Sequence, residues 1–235
     1  MATEPFDARG RFGPMAPRYE EAFTASTGLR SISDRELAVI TRRLGDVRAR
    51  RILDAGIGTG RVARRLGHLG ASVVGLDVTP EMLAQCRTSA PDVRSVLGRV
   101  GAPLPFADRS FDDAVCVRVL KYVQGWERAF GEFRRVLRPG ARLVVEIANV
   151  RSVARWGYRG QAITFGAAAD TQDLLRSAGF LPIALDAGTR LPFGLYARSR
   201  STATEALDRI ESVAGRILGD VALARSFFVT AELVD

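Results

Sequence analysis

The run Asp54-Ala55-Gly56-Ile57-Gly58-Thr59-Gly60 holds the residue types from which a small-molecule site is built. Alternating glycines let a backbone turn tightly and let a ligand approach it closely. A helix opening directly after such a turn presents free N–H groups, a polar and partly positive floor. Asp77 follows at about twenty residues, the spacing at which an acidic side chain can accept both hydroxyls of a ribose. Together they predict a ribose-bearing ligand outside the carboxyl ends of parallel strands. The spacing here is G-x-G-x-G. In the dinucleotide fingerprint G-x-G-x-x-G/A, the third position counted from Gly56 is Arg61, which disfavours a nicotinamide or flavin. No metal site is expected. His68 is the only histidine, and Cys86 and Cys116 form no CxxC pair.

The elements that must position this loop follow from the apolar pattern. Residues 51–55 read as a short strand, 61–69 as a helix, 72–77 as a second strand and 80–87 as a helix capped by Thr79 with Pro80 at its first position. Strands are expected at 93–97, 112–117, 142–147, 181–185 and 225–233. Helices are expected at 126–137, stopped by Arg138-Pro139-Gly140, and at 171–178. Such alternation predicts an α/β fold with a parallel sheet covered on both faces. A helix beginning at Ser33 or Asp34 carries Leu37, Ile40 and Leu44 at helical spacing. Residues 1–32 before it read as an irregular arm, with room for a short helix near Tyr19 to Phe23, and 33–235 as the domain proper. Two stretches interrupt the alternation: 149–169, and an insertion at 188–224 with a helix near Thr202 to Leu218.

Composition adds little against this. The net charge is +8 and the pI about 10.6, which read alone points to nucleic acid. Lys121 is the only lysine, however, and the arginines are spread along the chain with abundant alanine and glycine, the pattern of GC-rich coding. Nucleic acid is therefore not expected as a partner. No apolar run approaches the roughly 20 residues of a membrane span, and the first thirty residues hold no basic-then-apolar signal. A soluble, cytoplasmic protein is the expectation.

The stretch from Arg51 to Asn149 resembles the class I S-adenosylmethionine (SAM)-dependent methyltransferases. The matching segments are Ile52 to Gly60, Val74-Gly75-Leu76-Asp77, Pro80-Glu81-Met82-Leu83, Leu104 to Asp112 and Arg135 to Gly140, in order and at compatible spacing. The resemblance implies a Rossmann-like sheet of seven strands in the order 3-2-1-4-5-7-6, the last antiparallel, with SAM as cofactor and S-adenosylhomocysteine as product. It implies that Asp54 and the backbone of Gly56 and Gly58 face the methionine end of SAM, with Gly60 also among the cofactor-binding residues. Asp77 would hold the ribose, Val78 would flank the adenine, and Arg118 to Leu120 would lie beside the cofactor. One departure is Gly98-Arg99, where the family commonly has Gly-Asp. Arginine accepts no hydrogen bond, so adenine recognition there falls to backbone or to Val100.

SAM is already an activated methyl donor, so the enzyme mainly orients an acceptor, and a hydroxyl acceptor usually needs a base. His68, near the end of the helix after the loop, reads as a surface residue. Tyr19, Tyr122 and Glu146 are the candidate catalytic residues, with Asn149 and Tyr158 near them. The acceptor pocket is expected from the arm (Arg18, Tyr19, Phe23), from 149–169 (Trp156, Tyr158, Phe165) and from 188–224 (Arg190, Phe193, Tyr196); the last stretch reads equally as a homodimer interface. The leading function is methylation of a small-molecule oxygen or nitrogen, in natural-product or glycan-linked metabolism by analogy. RNA or DNA methylation and a non-catalytic partner protein are the alternatives. Val117-Arg118-Val119-Leu120 lacks the Asn/Asp-Pro-Pro-aromatic motif of amino-group nucleic-acid methyltransferases. Residues 10–28, with three aromatics, are expected to act as a lid over the cofactor.

Overall fold

A computed structural model of the chain describes residues 6–158, 161–219, 221 and 223–234. The apolar run at Ile52-Leu53 is buried because its strand, β1 (Arg51–Ala55), lies mid-sheet with both faces covered. It pairs in parallel with β2 (Ser72–Asp77) on one side and β4 (Phe111–Cys116) on the other. β3 (Arg94–Leu97) extends the sheet beyond β2, and β5 (Leu137–Ala148) extends it beyond β4. β7 (Ser226–Leu233) runs antiparallel between β5 and β6 (Phe180–Ala187). The order is β3-β2-β1-β4-β5-β7-β6, as the resemblance implies. The direction of winding reverses between β1 and β4, so a crevice opens beyond their carboxyl ends.

Side chains alternate across each strand and so feed two cores. On one face Leu53, Phe111 and Leu143 pack under Phe130, Phe133 and Val136 of α6 (Trp126–Val136) and Leu175 of α7 (Ala168–Ser177). On the other, Ile52, Val115 and Val144 meet Ile40 and Leu44 of α3 (Thr27–Leu44) and Val62, Ala63 and Leu66 of α4 (Arg61–His68). α5 (Pro80–Ser89) adds Leu83 and Cys86 to the second core.

The N-terminal region holds more helix than the arm with one short helix that the sequence allows. Residues 1–5 of that arm lie outside the described residues; the rest is helical. α1 (Ala8–Phe12) is capped by Asp7, whose Oδ1 accepts from the Gly10 N–H at 2.9 Å. α2 (Ala16–Ala25) follows, and α3 starts at Thr27, not Ser33. Its cap is Ser26, whose Oγ accepts from Leu29 N at 3.3 Å. Gly28 in the first turn hides this start, since glycine is a poor helix former. It is there for space: a β-carbon at Gly28 would collide with the carbonyl oxygen of Tyr196. The boundary placed between residues 32 and 33 thus falls inside a helix.

The 188–224 stretch supplies α8 (Phe193–Arg198) and α9 (Ser201–Leu218), which pack on α3. Tyr196 is fully buried against Leu29 and Ile32. Asp208 of α9 takes the Ser31 hydroxyl at 2.8 Å and Arg35 at 2.7 Å. Residues 149–169 hold a short 3-10 turn, Val153–Tyr158, and a bridge between Asn149 and Gly166. Among the described residues, no helix is long and apolar enough to cross a membrane.

Candidate active site

β1 ends at Ala55, and the chain must turn at once into α4. Gly56 and Gly58 make that turn at φ 91° and 55°, where side-chained residues are rare. Gly56 is also needed for space, because a β-carbon there would run into Val119. At Gly58 a β-carbon would meet no atom of the described residues within 4 Å. That α-carbon faces a cavity of about 300 Å³ at the crevice, lined by Asp54, Gly56, Gly58, Asp77, Val78, Val100 and Arg118 among others. Asp77 pins the turn: its Oδ2 accepts from Gly58 N at 2.9 Å and its Oδ1 from Thr79 N at 2.8 Å. Burial pushes the Asp77 carboxyl above its ordinary value, against these backbone bonds.

Asp54 is 2% exposed, and among the described residues its Oδ2 has no hydrogen-bond partner. Burial pushes its carboxyl up to about 7; Arg61 opposes that rise and Asp77 adds to it. A buried carboxylate oxygen left unpaired is costly. At the wall of a cavity it calls for a ligand that brings a donor, and a cationic one best of all.

A sequence profile described as "Methyltransferase domain" matches residues 53–145, the segment that builds this cavity. Over those residues this chain carries a methyltransferase domain. A demethylmenaquinone methyltransferase of Tropheryma whipplei is 32% identical over 155 residues, 65% of this chain and 64% of that protein. An O-methyltransferase of Aspergillus sclerotiorum is 28% identical over 177 residues, 70% of this chain and 65% of that one. The chain thus spans just under two thirds of the length of these relatives. A SAM-dependent methyltransferase structure from Thermotoga maritima has a TM-score of 0.69 at 21% identity, covering 94% of this chain and 97% of that one, and shows the same fold.

Two residues expected beside the cofactor of this methyltransferase domain do not line the cavity. Gly60 sits at the start of α4 facing Cys86 and Ala90. Leu120 is fully buried: a 3-10 turn (Leu120–Tyr122) rolls it into the core, where its carbonyl accepts from Trp126 Nε1 at 2.9 Å. The same turn leaves Tyr122 at the cavity wall. Arg99 lines the cavity and is otherwise exposed.

A second, larger cavity of about 930 Å³ adjoins the first; Phe12, Tyr19, Arg118 and Tyr122 line both. Tyr19, Tyr122 and Glu146, the three candidate catalytic residues, all line the larger one. So do Arg18, Phe23, Tyr158, Phe165 and Phe193. Four others expected in the acceptor pocket or beside it do not. Trp156 is 54% exposed outside it, Tyr196 is core, Arg190 donates to the Gly219 carbonyl at 2.6 Å, and Asn149 bonds the Val221 carbonyl. His68 is exposed at the end of α4.

Sequence reading missed Glu36. This buried carboxylate on α3 takes Arg61 at 2.7 Å and Arg118 at 2.8 Å. Burial would raise its carboxyl, but the two guanidiniums, Arg118 foremost, hold it below the ordinary value. Arg118 is strained at φ 63°. Glu146 Oε2 accepts its N–H at 2.8 Å, Glu36 holds its side chain, and its guanidinium lies 4.6 Å over the Phe23 ring. The signal for Glu36 was present: a carboxylate in the apolar stripe of Ile32, Ile40 and Leu44.

Proposed function

We propose that the protein transfers a methyl group from SAM to an oxygen or nitrogen of a small acceptor in the larger cavity. The observation that carries this reading is the unpaired buried Asp54 oxygen beside a glycine turn whose Gly58 opens onto the smaller cavity. Those residues fit the cofactor. Asp54 would take its amino group, the Gly56–Gly58 backbone its methionine end, and Asp77 its ribose hydroxyls. Val78 and Val100, with Met82, would flank the adenine. When bound, SAM supplies an activated methyl on sulfur.

The chain's own residues then orient and seal. Tyr19 and Tyr122 stand where the two cavities meet and exclude water from the junction. Glu36 and Glu146 fix Arg118 at that same boundary. Glu146 has a second carboxylate oxygen, which would accept the proton of a hydroxyl acceptor. The O-methyltransferase relative favours oxygen as the atom methylated.

Calorimetry with SAM, and detection of S-adenosylhomocysteine during turnover, test the reading. Asp77→Ala removes the ribose acceptor, and hydrogen bonds to charged groups contribute about 1.5–3 kcal/mol. SAM affinity should fall about ten- to a hundredfold. Tight NAD binding with no SAM binding would overturn the assignment.

A further inference from the structure

The larger cavity carries a charge imbalance that methyl transfer alone does not explain. Among the described residues, eight cationic side chains line it against two carboxylates, Glu36 and Glu146. Arg35, Arg42 and Arg118 are held by Asp208, Asp186 and Glu36. Among the described residues, no carboxylate lies within ion-pair distance of the other five: Arg11, Arg18, Lys121, Arg155 and Arg225. The two acids do not balance them. Glu36 already serves two guanidiniums, and Glu146 accepts the Arg118 backbone N–H.

Lys121 is the telling member of the five. It is the one lysine among 34 basic residues, and it stands at this wall. Its Nζ lies 5.1 Å from the Tyr122 ring and 5.9 Å from the Tyr158 ring. Its backbone is fixed, since Thr164 N donates to the Lys121 carbonyl at 2.7 Å. Burial works against its ammonium, but Tyr122, Tyr158 and Glu146 outweigh that and keep it charged. A compact, rotatable ammonium suits an anionic oxygen as a point charge, where a guanidinium would demand a planar partner. Arg225 stands on the same cavity, its guanidinium 5.3 Å over the Phe193 ring. Between the cations the walls are aromatic, with Phe23, Phe165 and Phe228.

We propose that the acceptor is an anion, a carboxylate or phosphate on an apolar, ring-sized body, and that Lys121 is the residue that selects it. This deepens the methyl-transfer reading and rests on it for the word acceptor. The aromatic walls cover the body. Lys121 and Arg225 are half-buried and gain a partner through charge-assisted hydrogen bonds, while Arg11, Arg18 and Arg155 stand exposed at the rim.

The test uses the full chain saturated with S-adenosylhomocysteine and four probes of one size: 1-hydroxy-2-naphthoate, its carboxamide, 1-naphthyl phosphate and 1-naphthylmethylammonium. Calorimetry should show at least one anion binding about tenfold or more tighter than the carboxamide, with the ammonium weakest. Comparing the naphthoate with the phosphate tells which anion is preferred. Lys121→Gln should lose that tenfold for the anions and leave carboxamide and S-adenosylhomocysteine affinity unchanged, while Lys121→Arg recovers part of it. Equal binding of anion and carboxamide, no anion binding, or an equal loss for both in Lys121→Gln would overturn the proposal. Repeating the series without S-adenosylhomocysteine separates the two readings. Anion selectivity in a protein that never binds the cofactor would sink methyl transfer and leave this site standing.

Discussion

At the scale of single residues, Asp54 should tie cofactor binding to pH. Without ligand, burial holds its carboxyl near 7, so the neutral form is favoured in the fold. Its contribution to stability is therefore full below the ordinary Asp value and is lost as pH rises through about 7. A ligand ammonium reverses the preference by stabilising the ionised carboxylate. S-adenosylhomocysteine, which keeps the same amino group, should bind progressively more tightly from pH 5 to 7, by up to about tenfold per unit, and then level off. Calorimetry near pH 6 in two buffers of different ionisation enthalpy should report proton release. Asp54→Asn should flatten the profile and abolish that release; a flat profile in the native protein would remove Asp54 from the amino-group site. Gly58 gives a second test, because its open α-carbon is where the cofactor would meet the backbone. Gly58→Val puts a branched side chain at φ 55° and into the cavity. Cofactor binding should vanish while the circular dichroism of the fold persists. The turn at Gly58 and the Asp77 that pins it were legible in the sequence because they are local, a turn and a strand end at fixed spacing. The Glu36–Arg118 pair was not, since its partners lie 82 residues apart and only packing brings them together.

At the scale of elements, the N-terminal helices stand over the smaller cavity. Phe6 stacks on Tyr122 with centroids 4.2 Å apart, and Phe12 meets the same ring edge-on at 5.5 Å. Arg9 Nε donates to the Val78 carbonyl at 2.9 Å, and Glu20 pairs with Arg64. α1 has only five residues, and a helix that short does not hold itself in water. Its order depends on the surfaces beneath it, which are walls of the cavity. Residues 10–28 should therefore show more hydrogen-exchange protection with S-adenosylhomocysteine than without. Removing residues 1–25, which keeps the Ser26 cap of α3, should leave a folded core that has lost most turnover. Equal protection in both states, with full activity after truncation, would make the arm a fixed cover. The extent of helix in this arm, beyond one short helix, escaped the sequence for a physical reason. Gly10, Gly13, Pro14 and Pro17 read as breaks, yet Pro17 sits at the start of α2, where proline costs nothing.

At the scale of the whole molecule, the sheet order was legible because strand and helix periods alternate through the middle of the chain, and the winding rules for parallel sheets leave few arrangements. The 188–224 stretch was not, because α8 and α9 bury their faces on α3, far away in sequence. Together the helices from both ends roof a sheet whose switch point between β1 and β4 lies beneath. A ligand at that point touches the loop after β1, the end of β2, the turn after β4 and the arm. It should therefore stabilise the domain as a unit. A ligand at about one hundred times its dissociation constant adds about 2.7 kcal/mol to the folded state. For a chain of 235 residues each kcal/mol moves Tm by about 2–4 °C. Saturating SAM or S-adenosylhomocysteine should raise Tm by about 5–10 °C. NAD should leave it unchanged. The third place of the dinucleotide fingerprint, where a glycine or alanine lets helix and strand pack closely, holds Arg61, whose guanidinium is committed to Glu36 at 2.7 Å. A comparable rise with NAD, or none with either SAM or its product, would show that this crevice serves a different ligand.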